Sequence, residues 1–562
     1  MSARHRVELT AGTVADLVAT TIVDRAADRV FIFPGGGSNL EVIDALDRLG
    51  VAVVLTRSEG GAALMAATYA DLTGRPAVVL IGLGPGVASV VNGLAHALLD
   101  QSPVIVISDR FGGAERDSTG HQELDHIALL APVVKWQAEL TPACAAAVLE
   151  RAITMASTPP CGPVHLELPR DVALAPAEEI GAEFSLPPSE APASPVCDER
   201  SPVTARLAAA RRPIVLIGDE ALEVSQDDLV RLVERVGGPA LSTYKAKGAF
   251  PEDHPLWCGI LTNAALERPL LDEADVILAI GLDPVELLPA PWPVDAPVVA
   301  FRRHTEHVPG YSPQHVVVGD LSPLVKSLAA VLRGGETTWS HAEVAQRRGR
   351  LLEALRTGSP ESLTALDVVA SVQAAAPEGT TVTVDAGAHM FAATWGWRAS
   401  RPRGFLMSNG HATMGYAVPA ALAAALARPS DPVIAFTGDG GFLLHGNELE
   451  TAARVRARLL VVVLNDSGLS LIRTKQEDRN YRRTVVDFGP VDCAAFARSL
   501  GAAGAVVGTV PELRAAVVKG LRESVPTVLD VRISGDEYGE LQRVIRGTRA
   551  PKRQSEESVC TG

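Results

Sequence analysis

Two carboxylates set at a fixed distance carry the first chemical signal in this 562-residue chain. Asp439 stands inside Gly438-Asp439-Gly440-Gly441, and Asp466 follows 27 residues later in Leu464-Asn465-Asp466-Ser467-Gly468. The runs 432–437 and 459–464 are short, apolar and β-branched, the pattern of strands buried on both faces, and 443–458 between them has helical composition. Such a strand–helix–strand unit brings Asp439 and Asn465-Asp466 to one sheet edge, where open α/β sheets bind their ligands. Oxygen ligands beside glycines that permit close backbone approach suit a hard divalent cation holding a diphosphate. A lone Gly-Asp-Gly is usually a tight turn; the second strand with its Asn-Asp gives this one chemical meaning.

A third carboxylate lies far away in sequence. Glu59 follows the strand pattern 51–55 and opens a helix that continues Gly60-Gly61-Ala62-Ala63-Leu64-Met65-Ala66-Ala67. Small apolar neighbours would desolvate its carboxyl and raise its pKa, as a general acid requires. A first-turn glutamate favouring the helix dipole is the alternative. Gly82-Leu83-Gly84-Pro85-Gly86 imitates a dinucleotide fingerprint, but its spacing is wrong and no acidic residue is placed for a ribose, which argues against an NAD site. Pro34-Gly35-Gly36-Gly37-Ser38-Asn39 is a glycine-rich turn into a helix. His389 starts a helix after Asp385-Ala386-Gly387-Ala388, and Met414 lies in Gly410-His411-Ala412-Thr413-Met414-Gly415, where core filling is its ordinary role.

The elements that must position these residues follow one plan. Strand patterns at 30–33, 51–55, 77–81, 104–108 and 164–168 alternate with helical stretches such as 59–72, making a doubly wound domain over 1–178. Pro187 to Pro202, rich in Pro, Ser, Ala and Glu, reads as a linker. A second α/β unit at 200–335 has strands at 213–217, 276–280, 298–301 and 316–318. A charged helical stretch at about 335–360 leads to a third, 363–545, and 551–562 is a frayed polar tail. The fold class is α/β, with three doubly wound parallel-sheet domains.

Composition narrows the functions. Hydrophobic content of 47% with 21% charged residues fits a soluble protein with ample core. A net charge of −15 leaves no basic stripe for nucleic acid. Six cysteines (144, 161, 197, 258, 493, 560) lack metal or disulfide spacing and read as thiols in a reducing compartment. Residues 1–10 are polar, and no apolar run reaches membrane-spanning length, so the cytoplasm is expected and a membrane partner is not.

Together these segments resemble the thiamine diphosphate-dependent enzymes, and over nearly the whole chain the similarity is to acetolactate synthase large subunits. The resemblance also runs through Gly93-Leu94-Ala95-His96-Ala97, Asp100-Gln101-Ser102-Pro103, Lys245 to Leu256, Tyr481 to Thr484 and Val486 to Asp492. It implies pyrimidine-binding (1–178), central (200–335) and diphosphate-binding (363–545) domains. Asp439 and Asp466 would ligate Mg2+ or another divalent cation through their side chains, and Gly468 through its carbonyl. Gly438, Gly440, Gly441 and His389 would face the diphosphate, and Gly36 and Gly37 the thiazolium. The Ala412 carbonyl and Met414 amide would bind the pyrimidine, with Met414 wedging the two rings into a bent form. Glu59 would protonate the ring nitrogen N1′, so that the 4′-imino group deprotonates C2. Gly120-His121-Gln122-Glu123 looks like the family's Phe-Gln-Glu loop, with His121 and Gln122 facing substrate. A homodimer or homotetramer with sites between subunits is implied.

Departures from the family pattern narrow the reaction. Members usually carry Asn where Asp466 stands, so an added negative charge bears on which metal is preferred. Gly281-Leu282-Asp283-Pro284-Val285-Glu286 replaces the Arg-Phe-Asp-Asp-Arg of flavin-containing synthases, so FAD is not expected. His121 replaces an aromatic residue; its imidazole could exchange a proton with substrate, or be structural. Gln137-Ala138-Glu139-Leu140 offers no acceptor-pocket lysine, which argues against pyruvate joined to pyruvate. The reading is decarboxylation of a 2-oxo acid, with carboligation to an aldehyde or ketone acceptor or with aldehyde release. One alternative is a carbon–carbon lyase on a 2-hydroxy ketone or 2-hydroxyacyl-CoA. Another is a silent cofactor-binding regulatory paralogue, against which the presence of Glu59 argues.

Overall fold

The computed structural model describes residues 12–116, 118–177, 197–305, 311–334, 337–356 and 363–547. Residues 1–10, Cys560, the polar tail and most of the expected linker lie outside them; Pro202 itself opens a short helix, Pro202–Ala208.

The three expected parallel sheets are present, each six-stranded. The first holds β1 (Arg29–Phe33), β2 (Ala52–Leu55), β3 (Ala77–Ile81), β4 (Val104–Arg110), β5 (Trp136–Glu139) and β6 (Val164–Pro169), in the order β2-β1-β3-β4-β6-β5. The central sheet holds β7 (Pro213–Ile217), β8 (Ala240–Ser242), β9 (Trp257–Ile260), β10 (Val276–Ile280), β11 (Val298–Arg302) and β12 (His315–Val318), in the order β12-β11-β10-β7-β8-β9. The third holds β13 (Thr381–Val384), β14 (Phe405–Met407), β15 (Val433–Gly438), β16 (Leu460–Asn465), β17 (Ala503–Val507) and β18 (Thr527–Arg532), in the order β14-β13-β15-β16-β18-β17. Every residue of β3, β7, β10 and β16 is buried, as strands covered on both faces require.

The cores do not respect the domain boundaries. The Glu59–Thr73 helix is buried continuously from Gly60 to Ala70, so it has no solvent face. One side packs on the Pro85–Leu99 helix of its own domain and the other on the Ala417–Ala427 helix of the third. Alanines and glycines let these axes approach: a Cβ on Gly93 would lie 2.5 Å from that of Ala63. The central and third domains share a second core, and Ile545 O accepts hydrogen bonds from Ala265 and Leu266 at 3.0 and 3.1 Å.

The helix expected over 443–458 is two helices, Asp439–His445 and Glu448–Arg454. Gly446, the poorest helix former in the run, marks the break and sits flush against Phe442 and Phe496. Helix therefore begins on Asp439 itself, directly at the end of β15. Among the described residues no helix is long and apolar enough to cross a membrane.

Candidate active site

A cavity of about 430 Å³ opens at the carboxyl ends of β13, β15 and β16. Its wall includes Gly438, Asp439, Gly440, Gly441, Asp466, Gly468, His389, Ala412 and Met414, so four segments separated in sequence meet at one edge. β13 and β15 are neighbours from which the chain winds in opposite directions, the switch point at which such sheets hold ligands.

Glycine is required on this wall. A Cβ on Gly441 would lie 2.5 Å from Asp385 Oδ2, and one on Gly440 would lie 3.0 Å from Leu469 and 3.4 Å from Met414 Cε. Asp385 is fully buried and anchors the loop that carries Met414. It accepts from Gly415 N at 2.8 Å, Tyr416 N at 3.3 Å and Thr437 Oγ1 at 2.9 Å, and burial pushes its pKa up to about 6. His389 is buried, and burial pulls its pKa down to about 4. His389 lines the cavity, and its buried Nε2 has no hydrogen-bond partner of its own among the described residues.

Asp439 and Asp466 repel one another across the floor. Burial, then the Asp466 charge, pushes Asp439 up to about 6 although Gly440 N and Ser467 N donate to it at 2.7 and 2.6 Å. Asp466 is raised as well, chiefly by burial, and its Oδ2 accepts from the Ser470 hydroxyl with Arg473 3.7 Å away. Ser467 holds φ at +58°, and Leu469 N and Phe488 N tie the turn to residues 486 and 467 at 2.7 and 3.2 Å. Among the described residues no group of three His, Cys, Asp or Glu side chains could hold a metal. A cation here would thus rest on two carboxylates, a backbone carbonyl and its ligand's own oxygens, and it would relieve the crowding of charge. The donor set and the orphaned His389 nitrogen fit a metal-bound diphosphate.

The first domain assembles a second cluster that does not line this cavity. Glu59 begins its helix beside Gly86, where a Cβ would lie 3.4 Å from Glu59 Oε1, and desolvation raises its pKa despite an opposing backbone hydrogen bond. The Gln122 carbonyl covers Gly84, where a Cβ would lie 2.4 Å from it. Gln122 has φ +57° and, with His121, is exposed. The Gly37 N–H is engaged by Asp109 Oδ2 at 3.2 Å, so of the two expected glycines Gly36 is the one facing open space. Sequence reasoning missed Asp109 and Asn409, and it met Asp385 and Glu286 only within longer segments, with no role of their own. It also missed Tyr538 and Arg546, which reach the cavity from the last helix, Tyr538–Arg546; no local motif signals them.

Three family models match the chain in sequence order. Residues 12–129, 201–328 and 385–531 match the N-terminal TPP binding domain, the central domain and the C-terminal TPP binding domain of the thiamine pyrophosphate enzymes. The catabolic acetolactate synthase of Raoultella terrigena is 31% identical over 90% of this chain and 92% of its own. The acetolactate synthase of Bacillus subtilis is 29% identical over 92% and 93%, and a probable 2-ketoarginine decarboxylase of Pseudomonas aeruginosa is 29% identical over 92% and 94%. The thiamine diphosphate-dependent 4-hydroxybenzoylformate decarboxylase of Rhodococcus jostii RHA1 shares the fold, with a TM-score of 0.80 at 21% identity over 94% of this chain and all of that one. With its three domains matched in order, this chain belongs to the thiamine pyrophosphate enzyme family, among the acetolactate synthase-like members.

Proposed function

We propose that this protein, with thiamine diphosphate and a divalent cation, releases carbon dioxide from a 2-oxo acid. The remaining fragment is joined to an acceptor carbonyl or released as an aldehyde, without a flavin. The observation that carries this reading is the convergence on one cavity wall of nine residues, the Asp439/Asp466 pair expected from its spacing and the others from the family resemblance. Relatives named as acetolactate synthases and as a decarboxylase support both fates of the fragment.

When bound, thiamine diphosphate supplies a nucleophilic carbon and an electron sink. Asp439, Asp466 and the Gly468 carbonyl hold the cation, His389 faces the phosphates, and Ala412 and Met414 present the pyrimidine side. Glu59 holds a proton for N1′, a task suited to a half-buried carboxyl whose pKa lies above its usual range. Because Glu59 does not reach the cavity of its own chain, the complete site joins the first domain of one copy to the third domain of another. Exposed apolar residues on both domains, among them Phe33, Leu40, Leu55, Leu443 and Leu444, supply a face for that partner. Asp219, Asp283 and Glu286 crowd the carboxyl ends of β7 and β10 with carboxyl groups, and Glu286 Oε1 already takes the Asp219 and Asp283 N–H groups, an edge unsuited to flavin phosphates.

Incubation of the Mg2+- and thiamine diphosphate-loaded protein with a panel of 2-oxo acids, with carbon dioxide trapping and product mass spectrometry, tests this. Turnover without carbon dioxide would favour a lyase, and absence of cofactor binding by the apoprotein would overturn the reading entirely.

A further inference from the structure

A closed ring of contacts forms the wall between the cofactor cavity and a second cavity of about 250 Å³ where the three domains meet. Lys245 Nζ lies 3.0 Å from Asp100 Oδ1 and 3.1 Å from Asp219 Oδ2. Asp100 Oδ1 accepts from Asn409 N at 3.2 Å, and Asn409 Nδ2 donates to the Glu286 carbonyl at 2.7 Å. Glu286 Oε1 accepts from Asp219 N at 3.0 Å, which closes the ring. Asp100 belongs to the first domain, Asn409 to the third, and Lys245, Asp219 and Glu286 to the central one. Asp100, Asp219 and Lys245 face the junction cavity; Glu286 and Asn409 face the cofactor cavity.

A branch of the ring reaches the pyrimidine loop. Asp100 Oδ2 lies 3.0 Å from His96 Nδ1, which is 3.0 Å from Ser408 Oγ. Ser408 Oγ in turn accepts from Thr413 N at 3.2 Å, between Ala412 and Met414. Ala412 holds φ at +51°, a conformation that alanine adopts only when its surroundings impose it. Lys245 is the only cation in the ring. Burial pulls its pKa down, but Asp100, Asp219 and Asp71 outweigh that and hold it well above the usual lysine range.

We infer that Lys245 is a positioning residue for the loop Ser408–Met414. By joining carboxylates of the first and central domains from the junction side, it fixes the strained backbone that presents Ala412 and Met414 to the pyrimidine. Without it, Asp100 and Asp219 remain as buried, unneutralised charges, and the Asp100 carboxylate that accepts from Asn409 and contacts His96 loses its anchor. This rests on the reading that the loop holds the cofactor.

Two measurements on the full-length protein separate the inference from that reading. Hydrogen–deuterium exchange of the peptide covering 408–416 in the apoprotein reports the loop without any cofactor. Calorimetric titration with thiamine diphosphate and Mg2+ reports affinity. Lys245→Met is expected to speed exchange of that peptide about tenfold relative to β15 and to weaken binding about tenfold, the scale of one lost charged hydrogen bond. Lys245→Arg is expected to recover most of both, since it restores the charge. Unchanged exchange in a folded Lys245→Met protein overturns the inference. If that variant does not fold, Lys245→Met with Asp219→Asn, which leaves one fewer unpaired carboxylate, is held to the same exchange criterion. A wild-type protein that binds no cofactor refutes the site reading instead, and the exchange result still decides the role of Lys245.

Discussion

The first and third sheets share one strand order, yet their central crevices end differently. In the third domain the crevice between β13 and β15 is open, walled by Ala386, Gly387 and Gly438. In the first, the matching crevice between β1 and β3 is shut: a Cβ on Gly35 would lie 2.7 Å from Gly82 Cα and 2.1 Å from Asp109 Oδ2. Asp109 occupies the place an anion would take, accepting from Gly37 N, Asn39 N at 2.7 Å and Asn39 Nδ2 at 2.6 Å. One topology thus yields a ligand cavity or a self-satisfied loop, depending on whether the chain supplies its own carboxylate. With its switch point closed, the first domain holds the carboxyl proposed to act on the cofactor, Glu59, after the outer strand β2.

Substitutions should break this contrast in graded fashion. Glu59→Gln is expected to lower kcat about a thousandfold, the scale of a lost general acid–base, while calorimetry shows the cofactor still bound; equal loss of binding would place Glu59 in the cavity's role. Glu448, buried in the third domain, accepts from Arg57 N at 2.9 Å beside the Glu59 helix, and burial pushes it up to about 7. The folded state therefore retains a proton that the unfolded chain has released, so stability falls as pH rises from the ordinary glutamate range towards 7. Glu448→Gln should remove roughly 3 kcal/mol of that pH dependence in denaturant titrations at pH 4.5 and 7.5. Asp439→Asn should weaken metal-dependent cofactor binding about a hundredfold with little effect on exchange in the first domain. The smallest effect belongs to the closed crevice: Gly35→Ala should cost about 1–3 kcal/mol, whereas Gly36→Ala, facing open space, should stay within about 0.5 kcal/mol.

Central strands were readable because burial on both faces leaves continuous apolar runs, as in 213–217, 276–280 and 460–464. Edge strands were read unevenly: the Val-rich β2 and β12 were expected, whereas β5 reads Trp-Gln-Ala-Glu and is partly exposed throughout, and β14 is three residues long. The cavity residues were legible wherever a motif clustered them, around Asp439, Asp466 and Met414. Asn409, Glu286 and Arg546 were not, because only the packing of distant segments brings them to that wall. The same limit hid Asp109, which acts through hydrogen bonds to a loop about 70 residues earlier. The split at Gly446 was missed because helical composition continues on both sides of it.

The Glu59–Thr73 helix has one more consequence, for how the protein comes into being. One side of it is covered by Ala417–Ala427, several hundred residues further along the chain. At ribosomal speeds of ~5–20 residues per second that surface stays uncovered for tens of seconds. A fragment ending near residue 177 would keep it bare permanently, so truncations of that kind should precipitate, and the nascent chain is a natural client for a holdase until translation passes the Ala417–Ala427 segment.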